Sequence, residues 1–114
     1  MDKQEVFTKV AGHLLRQNTK SMNDTGCLYK CGGLACAIGC LVTEEAYKAS
    51  MEYHSLGDFE VMSVLTDSIG YLEYEVIELL DNLREVHDAI AVEHWPKSLK
   101  ELAAFHNLKM PEAT

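Results

Sequence analysis

A chain of 114 residues, 47% apolar and 25% charged, has the composition of a folded globular protein and is far from that of a disordered or low-complexity one. Its formal net charge of −8, from 18 acidic against 10 basic residues, disfavours direct binding to nucleic-acid phosphates, an affinity that comes mainly from lysine and arginine displacing counterions. No apolar run approaches the roughly 18 residues of a membrane span, and the opening Met1-Asp2-Lys3-Gln4-Glu5 lacks the basic and then apolar regions of an export signal; the expectation is one cytoplasmic domain over residues 1–114, a monomer or small homo-oligomer, with its four cysteines as thiols, metal ligands or transient redox pairs in place of structural disulfides.

Asp2 followed three residues later by Glu5 is a capping-box pair, and Val6, Phe7, Val10, Ala11 and Leu14 share one arc at 100° per residue, which predicts a first helix over residues 3–17. The polar run from Asn18 to Gly26 reads as a loop. Leu28 to Cys31 and Leu34-Ala35 suit two very short strands joined at Gly32-Gly33 by a type I′ turn, whose two central residues need positive φ. Cys36, Ala37, Cys40 and Leu41 lie at the spacing of a helix face, with Gly39 small enough for another backbone to approach. A short buried helix is therefore expected over 36–42, and a further helical segment from a Thr43 cap to about residue 49.

Residues 53–57 form a connector, Asp58 offers a cap for a helix running to about residue 66, and Ser68-Ile69-Gly70 ends it. The longest helix is expected over 71–90, with Leu72, Val76, Leu79, Leu83, Val86 and Ile90 in an arc of roughly 80°. Pro96 suits a first helical turn, Trp95, Leu99, Leu102 and Ala103 share a face, and Asn107 is a plausible left-handed cap. The fold class that follows is mainly α: about five helices in a single domain, with a very short β-hairpin beside a Cys/Gly-rich central helix.

The central stretch carries a resemblance. Cys27, Tyr29 and Lys30, then Gly33, Leu34, Cys36, Ala37, Ile38, Gly39, Cys40, Leu41 and Val42, then Glu44, Glu45 and Tyr47 resemble a motif of small uncharacterised proteins found mainly in bacteriophage and prophage genomes. The similarity continues at Leu83, His87, Asp88, Trp95, Leu99 and Leu102, and so spans most of the chain. Two positions depart from the pattern: Thr43 stands where the family usually has proline, and Cys31 where it has another residue. The resemblance implies a viral or prophage origin and a small accessory protein of the bacterial cytoplasm, and it carries no catalytic residues with it.

Three groups of residues could bear chemistry. Cys27, Cys31, Cys36 and Cys40, or three of them with His54, could ligate zinc, although their spacing is not that of paired Cys-x2-Cys knuckles; buried packing thiols are the plainer reading. Cys36 with His87 and Asp88, or with His94, sketches a thiol hydrolase, for which two very short strands provide little scaffold. Glu78, Asp81, Glu85 and Asp88 fall on one arc opposite the apolar stripe of the long helix, either a solvated face or a docking surface for a basic partner. His106, on the face of Trp95 and Leu99, reads as a partly buried, hydrogen-bonded core histidine. The favoured expectation is a non-enzymatic accessory protein without cofactor or catalytic residues, acting on a host or viral protein in a host-modulating or counter-defence role. A zinc-stabilised interaction module is the alternative, and a cysteine-dependent hydrolase the third reading.

Overall fold

The computed structural model describes residues 1–112. Helix α1, Lys3–Gln17, opens on a complete capping box, in which the Asp2 carboxylate accepts the Glu5 N–H at 2.8 Å and the Glu5 carboxylate accepts the Asp2 N–H at 3.3 Å. It closes at Asn18, whose left-handed backbone (φ 51°) lets its N–H reach the Leu14 carbonyl. Val6, Phe7, Val10, Ala11 and Leu14, the arc expected to face inward, are all buried.

Two hairpins follow where one was expected. Strand β1 (Met22–Asn23) pairs antiparallel with β2 (Gly26–Cys27), and β3 (Lys30–Cys31) with β4 (Leu34–Ala35). The second turns through Gly32 and Gly33 with φ of 54° and 87°, the positive values a type I′ turn requires. The first lies within residues 18–26, expected to be loop. There Asn23 accepts the Thr25 N–H at 2.9 Å, so a side chain makes the turn and no apolar alternation announces the strands.

The central helix over 36–42 does not form as such: the segment tightens into a single 3-10 turn, Gly39–Leu41. The Cys36 N–H is committed to the Tyr29 carbonyl at 3.1 Å, and the Gly39 N–H points at the Cys36 sulfur at 3.3 Å. Val42 then goes extended, and Thr43 Oγ1 accepts the Ala46 N–H, starting a new turn in place of continuing the old one. The helical segment expected from Thr43 to residue 49 is likewise reduced to turns and a 3-10 turn at Ala49–Met51. Among the described residues four α-helices therefore stand where about five were expected.

Helix α2 spans Phe59–Ile69 after Asp58 and ends at Gly70, with φ 86°. Helix α3, Tyr74–Ala89, starts three residues later than its expected limit and buries Val76, Leu79, Leu83 and Val86. A 3-10 turn at Val92–His94 leads into α4, Trp95–Phe105, with Pro96 in its first turn and left-handed Asn107 (φ 58°) just beyond its end. Helix α1 packs against both α3 and α4, and one hydrophobic core runs from Val6 through Ile38 and Leu65 to Leu99, with the Trp95 side chain fully enclosed. No helix among the described residues is long and apolar enough to cross a membrane.

Candidate functional site

The inner edge of α3, the end of the first hairpin and the connector before α2 enclose a cleft of about 440 Å³. Asp81, Arg84 and Asp88 come from α3, Cys27 from β2, and Tyr29 and Tyr53 form aromatic walls. The i, i+3 and i+4 spacing on the helix brings Arg84 against both carboxylates, 3.1 Å from Asp81 and 3.5 Å from Asp88. Tyr53 sits in the left-handed region (φ 67°), which bulky residues seldom occupy. Its hydroxyl reaches across to the tip of the first hairpin, 2.7 Å from Thr25 Oγ1 and 3.3 Å from Asn23 Nδ2, so its exposed ring is held at the cleft by contacts from another segment.

Behind the cleft runs a hydrogen-bonded chain. The Ser21 backbone N–H donates to His87 Nε2 at 2.9 Å, which fixes the proton of a neutral His87 on Nδ1, and Nδ1 donates to Asp88 at 2.6 Å. His87 is fully buried and Asp88 half-buried. Lys20 Nζ donates to the Asp88 backbone carbonyl at 3.3 Å and ties the segment before β1 to the end of α3. Burial pushes the Asp88 carboxyl up, but its interactions with His87, then with Cys27 and Arg84, outweigh this and hold it below its ordinary value. For the Cys27 thiol, burial and the facing Asp88 charge act together and raise its pKa.

Cys27, His87 and Asp88 place their ligand atoms within 4.8 Å of one another, the single set of this kind among the described residues. Distance alone would admit a metal ion. The tautomer opposes it: ligation through Nδ1 requires the ring to surrender the proton it gives Asp88, and a neutral ring would then carry its proton on Nε2, where it meets the Ser21 N–H donor. A ligating histidine normally turns its second nitrogen toward an acceptor, and here it faces a donor. The cluster is built as a hydrogen-bonded chain.

The four cysteines do not converge. Cys27 and Cys36 line the cleft described above, with His54, whereas Cys31 and Cys40 line a separate one. His54 turns its ring nitrogens to Asp58 and Glu60, at 3.1 and 3.9 Å. Burial pushes the Cys36 and Cys40 thiols up to about 12, the opposite of what a nucleophile needs. His94 lies exposed beside Glu93. The histidine and aspartate near a thiol are thus His87 and Asp88, as the hydrolase sketch supposed, but their thiol is Cys27 in place of Cys36, and neither ring nitrogen is free to act as its base.

The acidic arc of α3 is divided by the fold. Glu78, Asp81 and Glu85 are exposed; Asp88 turns inward to His87 and Arg84. Glu78 and Asp81 border a groove lined by Leu56, Tyr74 and Ile77, and Glu85 borders another on the side of α4. His106 is half-buried and donates through Nε2 to Asn82 Oδ1 at 2.8 Å, as its position on the helix face suggested. Tyr53 and Ser21 had no sequence signal, nor had Glu52, whose carboxylate accepts the Tyr29 N–H at 2.7 Å, because each is defined by a partner more than 20 residues away.

Comparison of the chain with protein-family models, with curated proteins and with solved structures gives no match.

Proposed function

We propose that this is a non-enzymatic accessory protein that acts by binding another protein, and that its contact surface is the outer face of α3 carrying Glu78, Asp81 and Glu85. The observation that carries this reading is the exposure of these three carboxylates on one helix whose only cation, Arg84, is held by Asp81 and Asp88. Two further acids on this solvated strip, Glu78 and Glu85, cost stability by repulsion, and the neighbouring groove at Leu56, Tyr74 and Ile77 adds the apolar patch that an interface uses. The cleft supports binding over catalysis: its thiols are held protonated, and the nitrogens of its histidine are both engaged. The resemblance to phage and prophage proteins extends the reading to a host or viral partner in the bacterial cytoplasm.

The test compares the tagged wild type with a Glu78→Gln, Asp81→Asn, Glu85→Gln variant. Proteins captured from a bacterial lysate are identified by mass spectrometry, and association of the captured partner is then timed with purified components. The variant is expected to fold as well as the wild type and to bind about tenfold more slowly at low salt, with the difference shrinking at high salt. Equal association rates at low salt would remove the strip as the contact surface.

A further inference from the structure

We propose that the groove between α3 and α4 seats a basic amphipathic helix of the partner protein, an inference that rests on the protein-binding reading above and names the chemistry of what is bound. The groove has a volume of about 450 Å³. Val86 and Ile90 on one side and Leu102 and Phe105 on the other make its apolar surface, and Glu85 and Glu101 supply its charge. No lysine or arginine lines it, and neither glutamate belongs to an ion pair among the described residues.

The groove is fixed at both ends. His106 donates to Asn82 at 2.8 Å at one end, and the Trp95 indole N–H donates to the Ile90 carbonyl at 3.0 Å at the other. Helices pinned in this way leave a preformed trough, which lowers the ordering cost of binding. Phe105 stays 76% exposed, its ring set edge-on against His106 with centroids 5.1 Å apart. An exposed phenylalanine oriented by a neighbour, beside an open apolar trough, is an anchor awaiting a partner surface.

The occupant follows from length and charge. From Asn82 to Ile90 the trough runs about 12 Å, a little over two helical turns, the reach of side chains at i, i+3 or i+4, and i+7 on a docked helix. Its unpaired glutamates call for lysine or arginine flanking that apolar stripe. A second copy of this chain fits poorly. A two-fold contact would bury the same patch from both copies, setting four carboxylates together without a cation in a molecule whose net charge is already −8.

The probe is a fluorescein-labelled peptide of about 14 residues, with leucine at i, i+3, i+4 and i+7 and lysine elsewhere. A scrambled peptide of the same composition without the stripe, and a striped peptide with glutamate for lysine, are its controls. Anisotropy should show binding of the basic striped peptide alone. Phe105→Ala, at an exposed position, is expected to weaken it about tenfold, and Glu101→Gln to weaken it about threefold at low salt with little effect at high salt. Circular dichroism of each variant confirms an unchanged fold. Equal binding of the scrambled peptide would reduce the effect to general electrostatics and overturn the proposal, as would indifference to Phe105→Ala. A dimer in sedimentation that Phe105→Asp converts to monomer would assign the groove to self-association and overturn it too. Because Phe105 and Glu101 lie outside the Glu78, Asp81 and Glu85 strip, a failed groove with an intact strip effect leaves the protein-binding function standing.

Discussion

Gly39 lies with its Cα against the backbone carbonyl of Tyr29, so that a Cβ there would come within 2.6 Å of the Tyr29 carbonyl carbon and closer still to its oxygen. The same oxygen accepts the Cys36 N–H, so it cannot retreat without breaking the bond that starts the central turn. Gly39→Ala should therefore destabilise the protein by about 3 kcal/mol or more, and Gly39→Val further. Gly57→Ala is the control. Nothing lies within 4 Å of its Cβ and its φ is not positive, so urea denaturation should show a change within about 1 kcal/mol, in the stabilising direction. Equal midpoints for Gly39→Ala and the wild type would show that the contact yields freely.

The thiols divide by burial. Cys36 is buried and its sulfur accepts the Gly39 N–H, Cys40 donates to the Ala37 carbonyl, and both are pushed up to about 12 by burial. Cys27, Cys31 and Cys40 are half-buried, Cys27 at the end of β2 facing Asp88 and Cys31 at the end of β3 beside the Gly32-Gly33 turn. With a thiol reagent at neutral pH, Cys31 should react first, Cys27 and Cys40, whose pKa values are raised, later, and Cys36 last, at a rate that follows global unfolding. Mass spectrometry of partly labelled protein reads the order, and early labelling of Cys36 would contradict its place in the core.

Much of this architecture was legible because it is written in short-range chemistry. The Asp2 and Glu5 pair and the apolar arc after it set the limits of α1, and Gly32-Gly33 set the second hairpin. The first hairpin was not legible, since two-residue strands leave no period to detect and the turn is made by the Asn23 side chain. The central segment has the face spacing of a helix, and the competing bonds from Tyr29 and Thr43 that cut it short come from outside that window. At the site, the acidic arc was visible as an arc, but not its division. Arg84 stands three residues from Asp81 and four from Asp88, so its bridging role was within reach of helical spacing alone. The approach of Cys27 to His87, 60 residues apart, had no such signal.

Acid stability should depend on Asp88. Its carboxyl is held below its ordinary value in the folded protein, so the stabilisation is fully present above the unfolded carboxylate pKa of about 3.9 and is lost as pH falls through the lower folded value. Asp88→Asn keeps an acceptor for the His87 Nδ1–H but removes the charge facing Arg84. Its stability at neutral pH should fall by about 1–2 kcal/mol, and its loss of stability below about pH 4 should be shallower than that of the wild type. Urea midpoints measured from neutral to acid pH compare the two slopes; parallel curves would mean that another carboxylate dominates. Stoichiometric zinc should leave the wild-type curve at neutral pH in place, because the His87 tautomer is set by Ser21. A zinc-dependent rise in stability that Cys27→Ser abolishes would show that the ring yields to the metal.

Glu52 joins the connector to the second hairpin, and its removal should be costly. One carboxylate oxygen accepts the Tyr29 N–H at 2.7 Å; the other accepts the Lys30 N–H at 3.1 Å and the Tyr47 hydroxyl at 2.7 Å. Glu52 thus serves the backbone donors of Tyr29, just before β3, and of Lys30, its first residue, outside the β3–β4 pairing. A half-buried carboxylate with three donors is worth more than a neutral acceptor in the same place, because charge-assisted hydrogen bonds are roughly twice as strong. Glu52→Ala leaves all three donors without their partner and is expected to cost about 2–4 kcal/mol. Glu52→Gln keeps one oxygen but sets an NH2 group against a donor, and should fall between the two. Tyr47→Phe, which removes only the hydroxyl and leaves both backbone bonds, should cost about 1 kcal/mol. The ranking of the four proteins by urea denaturation tests the assignment. If Glu52→Gln matched the wild type, the carboxylate would not be the element that holds the hairpin against the connector, and the bond from the Tyr29 hydroxyl to the His54 carbonyl would be the link that remains.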